Sequence, residues 1–228
     1  MGENMVMNIL VVGAHIGDAE LMSGPLVIEE IQTGGQALIL ALTPGEHGNP
    51  RSDPSNYKIQ KIKEAKDFSS AVGARSIIFE DLRDGFLNVD DDIALRISKI
   101  IREDKPDLVI THWIGSFHPD HRNAHMLVKR AIFLSQLPLI NEQHPPHKTK
   151  LQYSENWEDM DGYKPNSHRV ISNKAFKIWS EAITSHEFAH GKISGFRYID
   201  YYTALLTLRG CLANTDRAVS LMDDPTSI

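Results

Sequence analysis

Four short apolar runs, each followed by a segment with helical periodicity, impose an alternating order of strands and helices on this chain. The apolar runs lie at residues 8–12, 37–43, 76–79 and 108–113, and the helical patterns at 18–33, 56–72, 90–103 and 120–137. Connections of ordinary length between them predict a mostly parallel, doubly wound sheet with helices on both faces. The chain is therefore expected to be an α/β protein with three αβα layers.

The pattern changes after Pro138. Short strands are predicted at 150–154 and 169–172, and helices at 173–190 and 201–212, with frayed residues at the very end. We interpret this third as a C-terminal α/β extension packed on the same core, because no linker sets it apart. Residues 1–228 are thus expected to form a single domain, in which Cys211 is a small core residue of the last helix.

Composition excludes several classes of function. The chain has 228 residues, a net charge of −6 with neutral histidines, and 41% hydrophobic residues. An acidic balance does not suit nucleic acid or an anionic membrane surface, and no apolar run reaches the ~18 residues of a transmembrane helix. A single cysteine rules out an intrachain disulfide, and the N-terminus lacks a signal-peptide pattern, so a cytoplasmic location is expected. The sequence leaves open whether the protein forms a homo-oligomer.

Two clusters of histidines and carboxylates follow two of the predicted strands. His15 and Asp18 come after Gly13 at the end of the first strand, and His118, His121 and His125 come after the fourth. The carboxyl ends of parallel strands meet at one edge of a sheet, where ligands bind. Two histidines and one carboxylate form an open catalytic zinc site of a known type. From spacing alone, both a metal site and a structural role for these side chains remain open.

Four short motifs, in order along the chain, resemble those of the LmbE-like, or PIG-L, N-acetylglucosaminyl deacetylases. That family carries Ala-His-Pro-Asp-Asp, Thr-x-Gly-Glu, His-Pro-Asp-His and a late Arg-Gly. The corresponding stretches here are Ala14-His-Ile-Gly-Asp18, Thr43-Pro-Gly-Glu46, His118-Pro-Asp-His121 and Arg209-Gly210. The resemblance spans nearly the whole chain. It implies a zinc hydrolase of Rossmann-like topology that removes an acetyl group from an amino sugar or a related small amine.

The resemblance also implies roles for individual residues. The metal ligands would be His15, Asp18 and His121, with His118 stabilising the oxyanion or protonating the leaving amine. Asp120 would orient a ligating or catalytic histidine. Zinc is the expected cofactor, although two histidines and one carboxylate also accept other divalent metals.

One departure from the family pattern concerns the general base. The family's first aspartate falls on Gly17 here, and the preceding proline is Ile16. Glycine cannot accept a proton, although a positive φ angle would explain its presence. Either another carboxylate serves, with Glu46, Glu20 and Asp120 as candidates by position, or catalysis is slow or lost and the site only binds metal. A missing general base costs ~10²–10⁴ in rate, whereas zinc by itself lowers the pKa of water to ~7.

Other residues have both a functional and a structural interpretation. Glu46 is placed either at the rim of the site or in a solvated loop. Lys61 lies where the family often has an arginine, so it and Arg51 are expected to contact substrate or simply to be solvated cations. Trp157 and Tyr163 would form a sugar-stacking wall, but packing of an irregular segment is the favoured interpretation.

Two other functions compete with that of a metal-dependent deacetylase. A nucleotide-dependent Rossmann enzyme is disfavoured because residues 12–17 lack the Gly-x-Gly-x-x-Gly pattern and the second strand ends in Thr43-Pro44 rather than in an acid. A non-catalytic or weakly active metal-binding or ligand-binding protein of the same fold is the alternative that Gly17 favours.

Overall fold

A seven-stranded, mostly parallel sheet forms the middle layer of the protein. The computed structural model describes residues 6–140, 143–159 and 161–225. The strands are β1 (Ile9–His15), β2 (Ala37–Thr43), β3 (Arg75–Ile78), β4 (Leu108–His112), β5 (Lys150–Ser154), β6 (Ser167–Val170) and β7 (Ala218–Asp223). Their order is β3-β2-β1-β4-β5-β7-β6. Adjacent strands are parallel from β3 to β5, whereas β7 is antiparallel to both of its neighbours.

Helices cover both faces of this sheet. Those in the described residues are α1 (Asp18–Met22), α2 (Gly24–Gln32), α3 (Pro54–Val72), α4 (Asp91–Asp104), α5 (Pro119–Ser135), α6 (Asn173–Ala182) and α7 (Tyr198–Leu212). Two 3₁₀ turns, Ile183–Ser185 and Glu187–His190, follow α6. None of the helices in the described ranges combines the length and the hydrophobicity needed to cross a bilayer.

The alternation of side chains along β1 divides the core between the two faces. Ile9 and Val11 pack with α1, α2, α6 and α7, whereas Leu10 and Val12 pack with α4 and α5. A central parallel strand is buried on both faces, which explains its uninterrupted apolar sequence. The predicted three-layer αβα architecture with a C-terminal α/β extension is confirmed. The first helical pattern, at 18–33, is divided into α1 and α2, and Gly24-Pro25 begins α2.

In the C-terminal third, one strand was missed and two predictions were wrong. Strand β7 was not among the predicted elements. The helix predicted at 173–190 ends at Ala182, because His186 takes an extended conformation (φ −84°, ψ 106°) between the two 3₁₀ turns. Cys211 is exposed, because α7 buries Tyr202, Leu206 and Gly210 on its other side. The expectation of a frayed end concerns residues 226–228, which lie outside the described residues.

Candidate active site and metal centre

A cavity of about 180 Å³ opens at the carboxyl edge of the parallel strands. Its walls come from the segments after β1, β2, β3, β4 and β5, together with α3, α7 and the second 3₁₀ turn. The polar residues that line it include His15, Asp18, Asp84, His118 and His121. This is the position at which open α/β sheets place a ligand crevice.

Asp18 is the centre of the polar cluster. Its Oδ2 atom lies 3.2 Å from Nδ1 of His15 and 3.4 Å from Nε2 of His121, and it accepts the backbone N–H of His15 at 2.8 Å. His15 is the last residue of β1, Asp18 begins α1 and His121 lies in the first turn of α5. The potential ligand atoms of these three residues all lie within 4.8 Å of one another, which is close enough to hold one metal ion.

Carboxylates contact the outer nitrogen atoms of both histidines. Nε2 of His15 lies 3.1 Å from Oδ1 of Asp84 and 3.2 Å from Oδ2 of Asp120. Nδ1 of His121 lies 2.9 Å from Oε2 of Glu158. When the rings are neutral, such partners fix the tautomer, so that Nδ1 of His15 and Nε2 of His121 face Asp18 as potential ligands. This donor set fits a divalent cation.

The pKa shifts of the cluster favour an ionised Asp18 between two protonated histidines, His15 and His121. Burial lowers the pKa of His15, but Asp18, Asp120 and Asp84 outweigh it and hold the pKa well above its ordinary value. Burial opposes ionisation of Asp18, yet His121 and His15 keep its pKa well below the usual range. For His121, Asp18 and Glu158 overcome burial and raise the pKa to about 9. A cation bound here would replace the two imidazole protons.

His118 is the N-cap residue of α5. Its Nδ1 atom accepts the backbone N–H of Asp120 at 3.2 Å, so the neutral ring carries its proton on Nε2. Burial and the neighbouring His15 and His121 lower its pKa, which favours that neutral form. Its ring stacks on His121 with a centroid separation of 4.7 Å. The arrangement provides a neutral hydrogen-bond donor beside the three potential ligands.

The other predicted site residues lie at different depths. Lys61 lines the cavity and is buried. Glu46 is not among the lining residues: its Oε1 accepts the backbone N–H of Asp84 at 3.1 Å. Arg51 is exposed and donates from Nη1 to the carbonyl of Lys192 at 3.2 Å. Asp120 accepts the backbone N–H groups of Gly85 and Leu87 in addition to its contact with His15.

Gly17 has a backbone that other residues rarely adopt, and little space around it. Its φ angle is +106°, which confirms the conformational reason expected for glycine. A Cβ atom added to Gly17 would lie 2.3 Å from the ring of Phe188, in the second 3₁₀ turn. The Oε2 atom of the buried Glu20 accepts the Gly17 N–H at 3.0 Å and is not among the cavity-lining groups. The volume beside Gly17 is therefore occupied by another side chain.

Three residues of the site were missed by sequence reasoning. Asp84 follows β3, so the rule that drew attention to the ends of β1 and β4 should also have identified it. Glu158 follows β5 in the same way but lies in an irregular segment beside Trp157, which also lines the cavity. Phe188 carries no sequence signal for this role. The hydroxyl of Tyr163 instead lies within hydrogen-bond distance of the carbonyls of Ser220, at 2.9 Å, and Tyr153, at 3.1 Å, in agreement with the packing interpretation.

Comparisons with known proteins agree with the fold. Residues 10–132 match the PIG-L family, described as GlcNAc-PI de-N-acetylase. The diacetylchitobiose deacetylase of Thermococcus kodakarensis is 23% identical over 220 residues, which cover 86% of this chain and 82% of that protein. Among solved structures, N,N'-diacetylchitobiose deacetylase from Pyrococcus horikoshii, complexed with its inhibitor MPG, is 18% identical with a TM-score of 0.81, over 96% of this chain and 84% of that one. The 4-carboxy-2-hydroxymuconate hydratase GalB from Pseudomonas putida KT2440 is 19% identical with a TM-score of 0.83, over 97% and 98% of the two chains.

The sheet, with its two-histidine, one-carboxylate cluster at the carboxyl edge, defines an α/β protein with a candidate metal site. The family match covers more than half of the sequence, and the chain belongs to the PIG-L family. The family membership predicted from the four motifs is thereby confirmed.

Proposed function

We propose that the protein is a metal-dependent hydrolase that removes an N-acetyl group from an amino sugar or a related small amide, with zinc as its metal. The observation that carries this proposal is the convergence of His15, Asp18 and His121, with carboxylates on the outer nitrogens of both histidines. Two histidines and one carboxylate are a known ligand set of catalytic zinc. A divalent cation held by them supplies Lewis-acid activation of the acetyl carbonyl and of water.

His118 is proposed to stabilise the negative charge that develops on the acetyl oxygen. Its neutral ring has Nδ1 occupied by the Asp120 N–H, so that Nε2–H is the free donor. A fixed donor aimed at developing charge is worth more than one that must reorganise. The proton for the leaving amine is proposed to come from the group that accepts the proton of the attacking water, because a neutral imidazole that lost Nε2–H would become an anion.

The proton acceptor for the attacking water is proposed to be Asp84. Gly17 has no side chain, and Glu20, Glu46 and Asp120 do not line the cavity. Asp84 is itself held in place, because its Oδ2 accepts the His47 N–H at 3.0 Å and its Oδ1 lies 3.1 Å from Nε2 of His15. Asp84 lines the cavity, and a carboxylate oxygen lies within 4.8 Å of ligand atoms of His15 and His118. Glu46, which accepts the Asp84 N–H, would then position the loop that carries the base.

The test combines metal content with acetate release on one preparation. N-acetylglucosamine and N,N'-diacetylchitobiose are the first substrates to assay, with zinc added. We expect about one divalent metal per chain, lost in His15→Ala and in His121→Ala. His118→Ala and Asp84→Asn should keep metal but lower kcat, the latter by ~10²–10⁴. Full metal in both histidine variants would contradict the ligand assignment, and unchanged kcat in Asp84→Asn would contradict its role as base.

The second candidate is a protein of the same fold that binds metal or a ligand without turnover. The observation favouring it is the Phe188 ring, which takes the space that a carboxylate at position 17 would need. Retained metal without acetate release from any acetylated amine would support this candidate. The single-domain organisation and a cytoplasmic location remain predictions from the sequence.

A further inference from the structure

Lys61 places an ammonium group in the wall of the cavity. The residue is 4% exposed. Its Nζ atom donates to the carbonyl of Ile16 at 2.6 Å and lies 3.8 Å from the centroid of the Phe188 ring. These two contacts hold the ammonium on the segment between the potential metal ligands His15 and Asp18.

The same ammonium is close to the place where a side chain at position 17 would begin. A Cβ atom added to Gly17 would lie 3.6 Å from Nζ of Lys61, as well as 2.3 Å from the Phe188 ring. At this point in the site the chain therefore presents a cation and an aromatic ring instead of a carboxylate. The charge next to the reacting groups is reversed relative to a site that carries an aspartate there.

No carboxylate of the described residues lies within ion-pair distance of the Lys61 ammonium. The acids that act on its pKa, with Glu64 and Glu20 first, do so at longer range, and burial lowers that pKa despite them. An ammonium has three N–H donors, of which one serves the Ile16 carbonyl and one faces the ring. A donor therefore remains for a ligand in the cavity, and burying a cation without a close counter-ion is costly.

We propose that the substrate is an N-acetylated amine that also carries a carboxylate group, and that Lys61 binds this carboxylate. The proposal rests on the deacetylase function proposed above and narrows its substrate class. A carboxylate at Lys61 would complete a charge-assisted hydrogen bond and provide the missing counter-ion. The Ile16 carbonyl and Phe188 hold the ammonium in place before the substrate arrives, so little side-chain entropy is lost on binding.

The experiment compares matched acidic and neutral probes. N-acetylglycine is paired with N-acetylglycinamide, and the uronic acid of N-acetylglucosamine with N-acetylglucosamine itself. We expect kcat/KM to favour the acid of each pair by about 10- to 100-fold, because a hydrogen bond to a charged group contributes that much. The difference should lie mainly in KM.

Variants test whether Lys61 is the origin of this preference. Lys61→Met should bring the acid-to-neutral ratio close to 1, and Lys61→Arg should retain a preference for the acid. Lys63→Met is the matched control, because Lys63 lies on the same helix but is exposed and paired with Asp67. If Lys61→Met does not fold, the acid-to-neutral ratios of Lys61→Gln and of the wild-type protein provide the test. A wild-type ratio near 1, or a preference that survives in Lys61→Met or Lys61→Gln, would overturn the proposal.

Binding measured without turnover separates this proposal from the proposed function. Calorimetric titration of the zinc-free wild-type protein should show tighter binding of N-acetylglycine than of N-acetylglycinamide. This difference should be lost in Lys61→Met and kept in Lys63→Met. Acid-selective binding without acetate release would support the Lys61 site and contradict deacetylation. Equal turnover of acid and neutral probes would leave deacetylation standing and refute the Lys61 site.

Discussion

Gly17 is the residue at which this sequence departs furthest from the motif that it resembles. At φ +106° the backbone lies beyond the left-handed region that aspartate tolerates with modest strain. Phe188 adds a steric barrier, since its ring atoms would lie 2.3 and 2.7 Å from a new Cβ. Both the backbone conformation and the packing therefore require glycine at position 17. An aspartate there would add a carboxylate but would also strain the backbone and clash with Phe188.

Gly17→Asp is accordingly expected to lower stability and to leave kcat unchanged or reduced. The added side chain must displace Phe188, and overpacking of this kind costs ~1–3 kcal/mol. Gly17→Asp combined with Phe188→Ala provides room for the carboxylate and should recover activity relative to the single Gly17→Asp variant. Thermal unfolding and steady-state kinetics of both variants, with Phe188→Ala as control, measure this. A large kcat gain in Gly17→Asp alone would contradict the steric argument.

At the scale of elements, the 3₁₀ segment after α6 determines what the cavity contains. A continuous helix through residue 190, as the sequence pattern predicts, would not have the extended residue His186 that separates the two turns. This irregular segment delivers Phe188 to Gly17 and Lys61. Periodicity in the sequence did not reveal the break, because the apolar residues on either side of it continue a helical spacing.

The pair of helices α4 and α5 depends on one buried arginine. Arg102 of α4 is fully buried and donates to the carbonyls of Ser135, Leu134 and Leu137, at the end of α5 and just beyond it. The carboxyl end of a helix carries partial negative charge and unsatisfied carbonyls, which a guanidinium satisfies.

Arg102→Met is therefore expected to destabilise the protein by ~2–4 kcal/mol, since several buried carbonyls lose their donor. Arg130→Met is the matched control: Arg130 is half exposed and pairs with Asp91 at the surface, so its loss should cost less than ~1 kcal/mol. Urea denaturation of both variants measures the difference. Similar losses in the two variants would show that Arg102 does not hold the end of α5.

At the scale of the whole molecule, protons and the proposed metal would compete for the same cluster. The pKa of His15 is well above its ordinary value and that of His121 is about 9. Both groups have raised pKa values in the folded protein, so their protonation stabilises the cation-free fold below about pH 6.5. That stabilisation is lost as the pH rises through about 9.

Zinc affinity is therefore expected to rise between pH 6.5 and 9, by up to ~tenfold per pH unit for each proton displaced. Competition with a chromophoric chelator measures the affinity. The melting temperature of the cation-free protein should fall over the same range, while the zinc-saturated protein gains stability from binding. An affinity that does not change with pH would indicate that the histidines carry no protons to displace.

The sequence by itself determined the layer architecture. It also determined which polar residues follow the ends of β1 and β4. Apolar runs, helical periodicity and breakers such as Gly24-Pro25 are local signals. A parallel sheet brings the carboxyl ends of its strands to one edge whatever the loops do. The placement of His15, Asp18, His118 and His121 at one cavity follows from these two facts, and family membership followed from the order of the motifs.

Only the tertiary structure decided which loop side chains turn towards that cavity. It brought Asp84 and Glu158 to the outer nitrogens of His15 and His121, directed Glu46 to a backbone N–H, and separated the buried Lys61 from the exposed Arg51. It also laid Phe188 over Gly17. The direction of a side chain in an irregular segment depends on packing against residues far away in the chain, and no local pattern of sequence encodes that packing.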